Sequence, residues 1–209
     1  MRFFILFIGV LLFAGEALIV KVNKNSALLD KKIQKGVSGY VICPYMEKEI
    51  ICARAVAFGE EAKFYPYKVL KNDAFALPVV VPKSGDKIIF GKDYDRILII
   101  APNQDSYLRV KNMYKKSIVI SPDVLAAFMD DELPTKEELK KFAAEFNIGK
   151  YIFVLDNIYE VDSFSFYAIK KKPFEEVEYK LPFFNYAYSL KVNKNLIKYY
   201  KSLIKGIDD

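Results

Sequence analysis

The sequence predicts an α+β fold, with a β-rich N-terminal part passing into an α/β portion that ends in a helix. Two observations carry this. Up to about Phe90 the apolar runs are short, β-favouring and punctuated by Gly and Pro, whereas beyond Gly91 strand-type runs alternate with segments that carry helix caps and a helical apolar period. The β-rich lobe is expected over about 18–92 and the α/β lobe over about 93–209.

In the first lobe, Ala17 to Val22 and Ser38 to Cys43 are predicted strands. Lys48 to Phe58 is a longer one that ends at Gly59-Glu60-Glu61. Phe64 to Leu70 follows as a separate run, with Pro66 marking an edge or bulge. Val79 to Phe90 is expected to form two strands around a Ser84-Gly85-Asp86 turn, a pattern common in small β-barrels.

In the second lobe, Arg96 to Ala101 is a buried-type strand and Asn103 caps the helix after it. Ser117 to Ile120 is a strand, and Ser121-Pro122-Asp123 opens a helix running to about Asp130. Thr135 and Glu138 form a capping box, after which Leu139, Phe142, Ala143 and Phe146 make one apolar stripe ending at Gly149. Tyr151 to Leu155, Tyr159 to Val161 and Phe164 to Lys170 are strands joined by turns at Asp156-Asn157 and Asp162-Ser163. A last helix is expected behind an Asn193 cap, with Leu196, Ile197, Tyr200, Leu203 and Ile204 on one side.

The chain begins as an exported protein would. Met1-Arg2 is followed by an unbroken apolar run from Phe3 to Phe13, and Gly15 and Ala17 make a small-x-small site. Residues 1–17 are therefore expected to be a signal peptide cut after Ala17, leaving no stable membrane span. The alternative is an uncleaved anchor from Phe3 to Val20, against which the charge of Glu16 counts. A composition of 53% hydrophobic and 15% aromatic residues is that of a folded globule and not of a disordered chain.

The net charge of +6 is spread over lysine pairs and triplets, and Arg is scarce, so no nucleic-acid partner is expected. With 0 His the chain has neither a His-based nucleophile system nor the commonest metal ligand. No phosphate-loop or dinucleotide-binding glycine pattern occurs, so neither cofactor nor metal is expected. The acidic pairs Asp130-Asp131 and Asp93/Asp95 sit in ordinary helix-flanking or turn contexts, and no catalytic residue is assigned.

Cys43 and Cys52 pass a hairpin test. With Glu47-Lys48 at the tip, Cys43 faces Cys52 across a non-hydrogen-bonded pair, where Cα atoms lie about 4.5 Å apart. A disulfide is expected in an oxidising compartment; two buried free thiols are the alternative, since Glu-Lys is a poor turn pair.

Gly39-Tyr40-Val41, the run Gly85 to Phe90, the Leu98 to Asn103 junction and the segment Ser121 to Phe128, together with Phe183-Phe184 and Tyr199-Tyr200, occur in an order and spacing that resemble one family. It is the N-terminal domain of the plasminogen-binding (PgbA-like) surface proteins of some gut bacteria. The resemblance implies an exported, non-enzymatic binding protein of the periplasm or cell surface. It further implies capture of host plasminogen through lysines that a kringle module holds as an ammonium paired with a carboxylate.

Family members of that type carry a Lys-rich tail after this domain, whereas this sequence ends at Asp209, so plasminogen binding is expected to be weak. Lys170, Lys171 and Lys172 beside Glu175 and Glu176 are the candidate partner-binding residues. The alternative is a structural or assembly component of the envelope that binds another bacterial protein, which an apolar patch around Phe183, Phe184, Tyr186 and Tyr188 would favour.

Overall fold

The computed structural model describes residues 15–67, 80–129, 133–174 and 195–207. The fold is α+β, with a closed barrel followed by a helix-covered sheet.

The barrel holds β1 (Gly15–Asn23), β2 (Ser26–Ile33), β3 (Ser38–Tyr45), β4 (Lys48–Pro66) and β5 (Lys87–Phe90), closed in the order β1-β2-β4-β3-β5. All its pairings are antiparallel. Its interior is filled by small and branched side chains, among them Ile19, Leu29, Ile33, Val41, Ala55 and Ile88.

β4 departs from the expectation most. It does not stop at Gly59 but runs on to Pro66 as one strand. Its first part pairs with β3, and from Gly59 onward it pairs with β2. Gly59 lies at the change of partner with φ +81, a left-handed value that costs glycine little.

β2 is a strand the pattern does not announce, because Asp30, Lys31 and Lys32 break its alternation while Ala27, Leu29 and Ile33 still point inward. Across Val80 to Lys83 no strand forms. The hairpin expected there is precluded because β5 already carries β1 on one edge and β3 on the other. The Asp86 carboxylate instead fastens the turn by accepting from the Lys83 N–H at 2.7 Å.

The second sheet contains β6 (Arg96–Ile100), β7 (Ile118–Ile120), β8 (Lys150–Val154), β9 (Asn157–Asp162) and β10 (Ala168–Pro173) in the order β10-β9-β8-β6-β7. β6 is parallel to both its neighbours, and the β8-β9-β10 end is antiparallel. α1 (Gln104–Met113) covers the face of Ile97, Ile99, Ile152 and Val154. α2 (Pro122–Phe128), α3 (Lys136–Phe146) and α4 (Leu196–Leu203) cover the face of Leu98, Ile100, Tyr151 and Phe153. A strand covered on both faces is apolar at successive positions, as β6 is.

The caps follow the sequence closely. Asn103, Ser121 and Thr135 each accept a first-turn N–H, and the Thr135–Glu138 capping box is complete. For α4 the cap is Asn195, which accepts from the Lys198 N–H at 3.0 Å; Asn193, the expected cap, lies outside the described residues.

Phe164 to Tyr167 is not the start of a strand. The N–H groups of Phe164 and Ser165 turn back onto Asp162 Oδ1 at 3.0 and 2.7 Å, and β10 begins only at Ala168.

Barrel and sheet are joined by buried polar contacts. Ser38 of β3 donates to Asp162, Ser165 Oγ donates to the Gly36 carbonyl at 2.6 Å, and Gln34 Nε2 donates to the Ile169 carbonyl at 2.5 Å. Gly36, at φ +88, leaves no room for a side chain, since a Cβ there would lie 2.1 Å from Tyr167 Cβ.

The signal-peptide expectation falls largely outside the described residues. Its last three positions do not: Gly15, Glu16 and Ala17 belong to β1 and pair with Phe90, Ile89 and Ile88, with Ala17 buried in the barrel.

Candidate functional site: the cleft between barrel and sheet

Tyr40 on β3 and Arg54 on β4 are direct cross-strand partners, so their side chains share one face of the barrel. That face turns toward the second sheet, where the turn after β9 presents Phe164. The Arg54 guanidinium lies between the two rings, 4.8 Å from the Tyr40 centroid and 4.3 Å from that of Phe164. Tyr67 meets Tyr40 edge-on at 5.8 Å, and Tyr65 meets Phe164 in the same way at 5.4 Å.

Beside this stack opens a cleft of about 320 Å³, lined by Tyr40, Arg54, Tyr67, Asp93, Phe164, Lys140 of α3 and Asn147 at its C-terminal cap. Tyr40 donates its hydroxyl to Asp93 Oδ2 at 2.5 Å. Burial drives the Tyr40 phenol above its ordinary value, the Arg54 charge opposes the rise, and the Asp93 carboxylate adds to it. Tyr40 therefore remains a protonated donor.

Beneath the cleft lies Asp162, wholly buried and accepting from the Ser38 N–H at 2.9 Å, the Ser38 hydroxyl at 2.6 Å and the Tyr94 hydroxyl at 2.7 Å. Burial raises the Tyr94 phenol well above its ordinary value, and the Asp162 charge and hydrogen bond raise it further. A carboxylate so supplied with donors is a tie between lobes, and its oxygens are occupied.

A second polar group lies on the α1 face. Glu160 is buried between Lys150 and Lys172, at 2.8 and 2.9 Å, and accepts from the Tyr114 hydroxyl at 3.0 Å. Burial pushes the Glu160 carboxyl up, but Lys150 and then Lys172 outweigh it and hold the group at about 2.

This network decides where the predicted lysines go. Lys172 is engaged by Glu160 and by Tyr114, whose hydroxyl it reaches at 3.1 Å. Lys171 lies on the opposite face of β10, 5.6 Å from the Tyr159 ring. Lys170 is exposed and stands opposite Glu160 in register. The triplet is thus divided between two faces of the sheet, and Glu175 and Glu176 lie outside the described residues. Asp130, Asp131, Phe183, Phe184, Tyr186 and Tyr188 lie outside them too.

A lysine group the sequence does not announce forms around the Phe166-Tyr167 step. Lys136 and Lys140 of α3 approach the Phe166 ring at 5.2 and 5.9 Å, while Lys205 and Lys35 approach the Tyr167 ring at 5.5 and 5.7 Å. Burial lowers the pKa of Lys136, and the charges of Lys205 and Lys140 lower it further. The i, i+4 spacing of Lys136 and Lys140 is the one signal in the sequence that could have been used. Lys35 and Lys205 join them only through folding.

Cys43 and Cys52 form a disulfide, with Cα atoms 5.8 Å apart. The hairpin tip lies one residue earlier than expected, at Met46-Glu47, so that Tyr45 pairs with Lys48 and each facing partner near the tip is shifted by two residues. Cys43 therefore faces Ile50, and Cys52 sits in the bulge where the register shifts between Val41 and Ile42. The extra residue of the bulge carries Cys52 back within reach. Met46 takes φ 53 at the tip, an uncommon but accessible value for a turn residue, and its side chain is exposed.

Among the described residues no helix is long and apolar enough to cross a membrane, and no group of three or more His, Cys, Asp or Glu side chains is placed to hold a metal ion.

A model of the family described as plasminogen-binding protein PgbA, N-terminal, matches residues 16–204. Among curated proteins, the plasminogen-binding protein PgbA of Helicobacter pylori strain J99 is 24% identical over 193 residues, covering 83% of this chain and 43% of the relative. The protein of the same name from strain 26695 aligns with the same identity and coverage. The chain spans less than half the length of these relatives. No solved structure matches. With the match running from β1 through α4, the chain belongs to the plasminogen-binding protein PgbA N-terminal family.

Proposed function

We propose that this chain is the binding domain of an exported, non-enzymatic protein of the bacterial envelope or surface, and that its ligand is a protein, with plasminogen the first candidate. Family membership supports the reading, because the relatives are named as plasminogen-binding proteins. The Cys43–Cys52 disulfide supports export, since such bonds persist in oxidising compartments.

The observation that carries the lysine-capture part is the convergence of Lys35, Lys136, Lys140 and Lys205 on Phe166 and Tyr167. Glu137 follows Lys136 directly and favours its charge. An ammonium with a carboxylate beside it is the pair a kringle holds. Lys170 and Lys171 with Glu175 and Glu176 remain a second candidate cluster. Ordering two long side chains in one geometry costs entropy, so weak binding is expected from an internal pair of either kind.

The test is binding of the mature domain to immobilised plasminogen, with and without a soluble lysine analogue. Parallel measurements use the K136A/K140A/K205A and K170A/K171A/K172A variants. Weak, analogue-sensitive binding lost in the first variant is expected. Loss only in the second moves the site to β10. Analogue-insensitive binding overturns lysine capture. No binding puts an envelope partner in front, to be identified by pull-down from envelope fractions.

A further inference from the structure

The cleft beside Arg54 has the composition of a small-molecule site, of which the lysine-capture reading uses only Lys140. Three observations bear on what it takes. Arg54 is packed between Tyr40 and Phe164, yet its Nε is buried without a hydrogen-bond partner among the described residues. A guanidinium needed only as packing between two rings has no cause to leave a buried donor unpaired, since an unpaired buried donor is destabilising.

Charge balance is the second observation. No described carboxylate forms an ion pair with Arg54, and Asp93, the acid lining the cleft, is engaged by the Tyr40 hydroxyl. Lys140 adds a second cation to the wall, with Lys136 one helical turn away. The remaining wall is the third. Tyr40, Tyr67 and Phe164 supply aromatic surface, and about 320 Å³ is at the small end of ligand cavities.

We propose that this cleft binds a small monocarboxylate with an aromatic or apolar body, the carboxylate hydrogen-bonded by the Arg54 fork and the body against Tyr40, Tyr67 and Phe164. An Arg fork matches a carboxylate, and rings already fixed by packing lose little entropy when they are covered. A phosphate group would use the cations but leave the aromatic wall exposed.

The probe is phenylacetate, with phenylacetamide as its uncharged counterpart, titrated into the whole folded domain and followed by NMR at the Arg54 Nε–H resonance. Saturable shifts with a Kd on the order of 1 mM are expected for phenylacetate and none for phenylacetamide. R54Q should weaken binding about tenfold, and R54K should fall between R54Q and the native protein. K140E on the exposed side of α3 should weaken it several-fold without touching the stack, and it decides the matter should R54Q not fold. Equal response to both probes, no saturable shift, or full binding in R54Q or K140E would overturn the proposal.

Discussion

Ser38 gives both its backbone N–H and its hydroxyl to one oxygen, Oδ2 of Asp162, across the boundary between barrel and sheet. The other oxygen of that carboxylate holds the N–H groups of Phe164 and Ser165. One side chain thereby fixes β3 against the turn that presents Phe164 to Arg54. Replacing it strands several buried donors at once. Asp162→Ala is expected to cost about 3–5 kcal/mol, whereas Ser38→Ala, which keeps the backbone N–H contact, should cost about 1–2. Urea denaturation followed by circular dichroism measures both, and equal losses would mean that the hydroxyl carries the tie.

Glu160 links stability to acid pH. Its folded pKa of about 2 lies below its ordinary 4.5, so its contribution is complete above about pH 5 and is lost as pH falls toward 2. On the order of 2–3 kcal/mol is at stake, because the group is buried and both cations are fixed beside it. In E160Q the part of the acid-induced loss belonging to this group should disappear, together with some stability at neutral pH. Comparing unfolding free energies of the two proteins at several pH values between 7 and 3 checks the sign.

Two glycines with positive φ should respond differently to the same substitution. A Cβ at Gly36 collides with Tyr167, while at Gly59 nothing lies within 4 Å. Gly59→Ala should therefore cost only the backbone strain, about 1 kcal/mol, and Gly36→Ala at least about 3. Thermal unfolding of the two variants distinguishes them, and similar losses would mean that the barrel shifts to admit the methyl group.

The Cys43–Cys52 loop is short, with a sequence separation of 9, so chain entropy assigns the bond about 2–3 kcal/mol. C43S/C52S should fold and lose about that much. In material recovered from the envelope both thiols should resist alkylation until reductant is added; free thiols there would argue against an oxidising compartment.

A cut after Ala17 would remove three of the four residue pairs that join β1 to β5 and the buried Ala17 with them. A domain beginning at Leu18 is therefore expected to melt several degrees below one beginning at Gly15. If the two melt together, the barrel closes without those pairs. N-terminal sequencing of exported material then shows which start the cell uses.

Local chemistry settled what was local. Asn103, Ser121 and the Thr135–Glu138 box each act within one turn, and the Leu139–Phe142–Ala143 stripe lies within one helix, so these elements are legible from neighbouring residues. The change from strands to alternating strands and helices near Gly91 was legible for the same reason, and the cysteine pairing survived a register error because a bulge absorbed it. What the chain does over long range was decided only by the fold. β4 runs through Gly59 because closing the barrel gives each half a different partner, and β5 forms no hairpin because both its edges are taken. The Arg54 cleft and the lysines around Phe166 and Tyr167 gather residues from distant parts of the sequence. Their side chains meet only because Asp162, Ser38 and Gly36 lock barrel and sheet in one arrangement, and no periodicity in the chain encodes that contact.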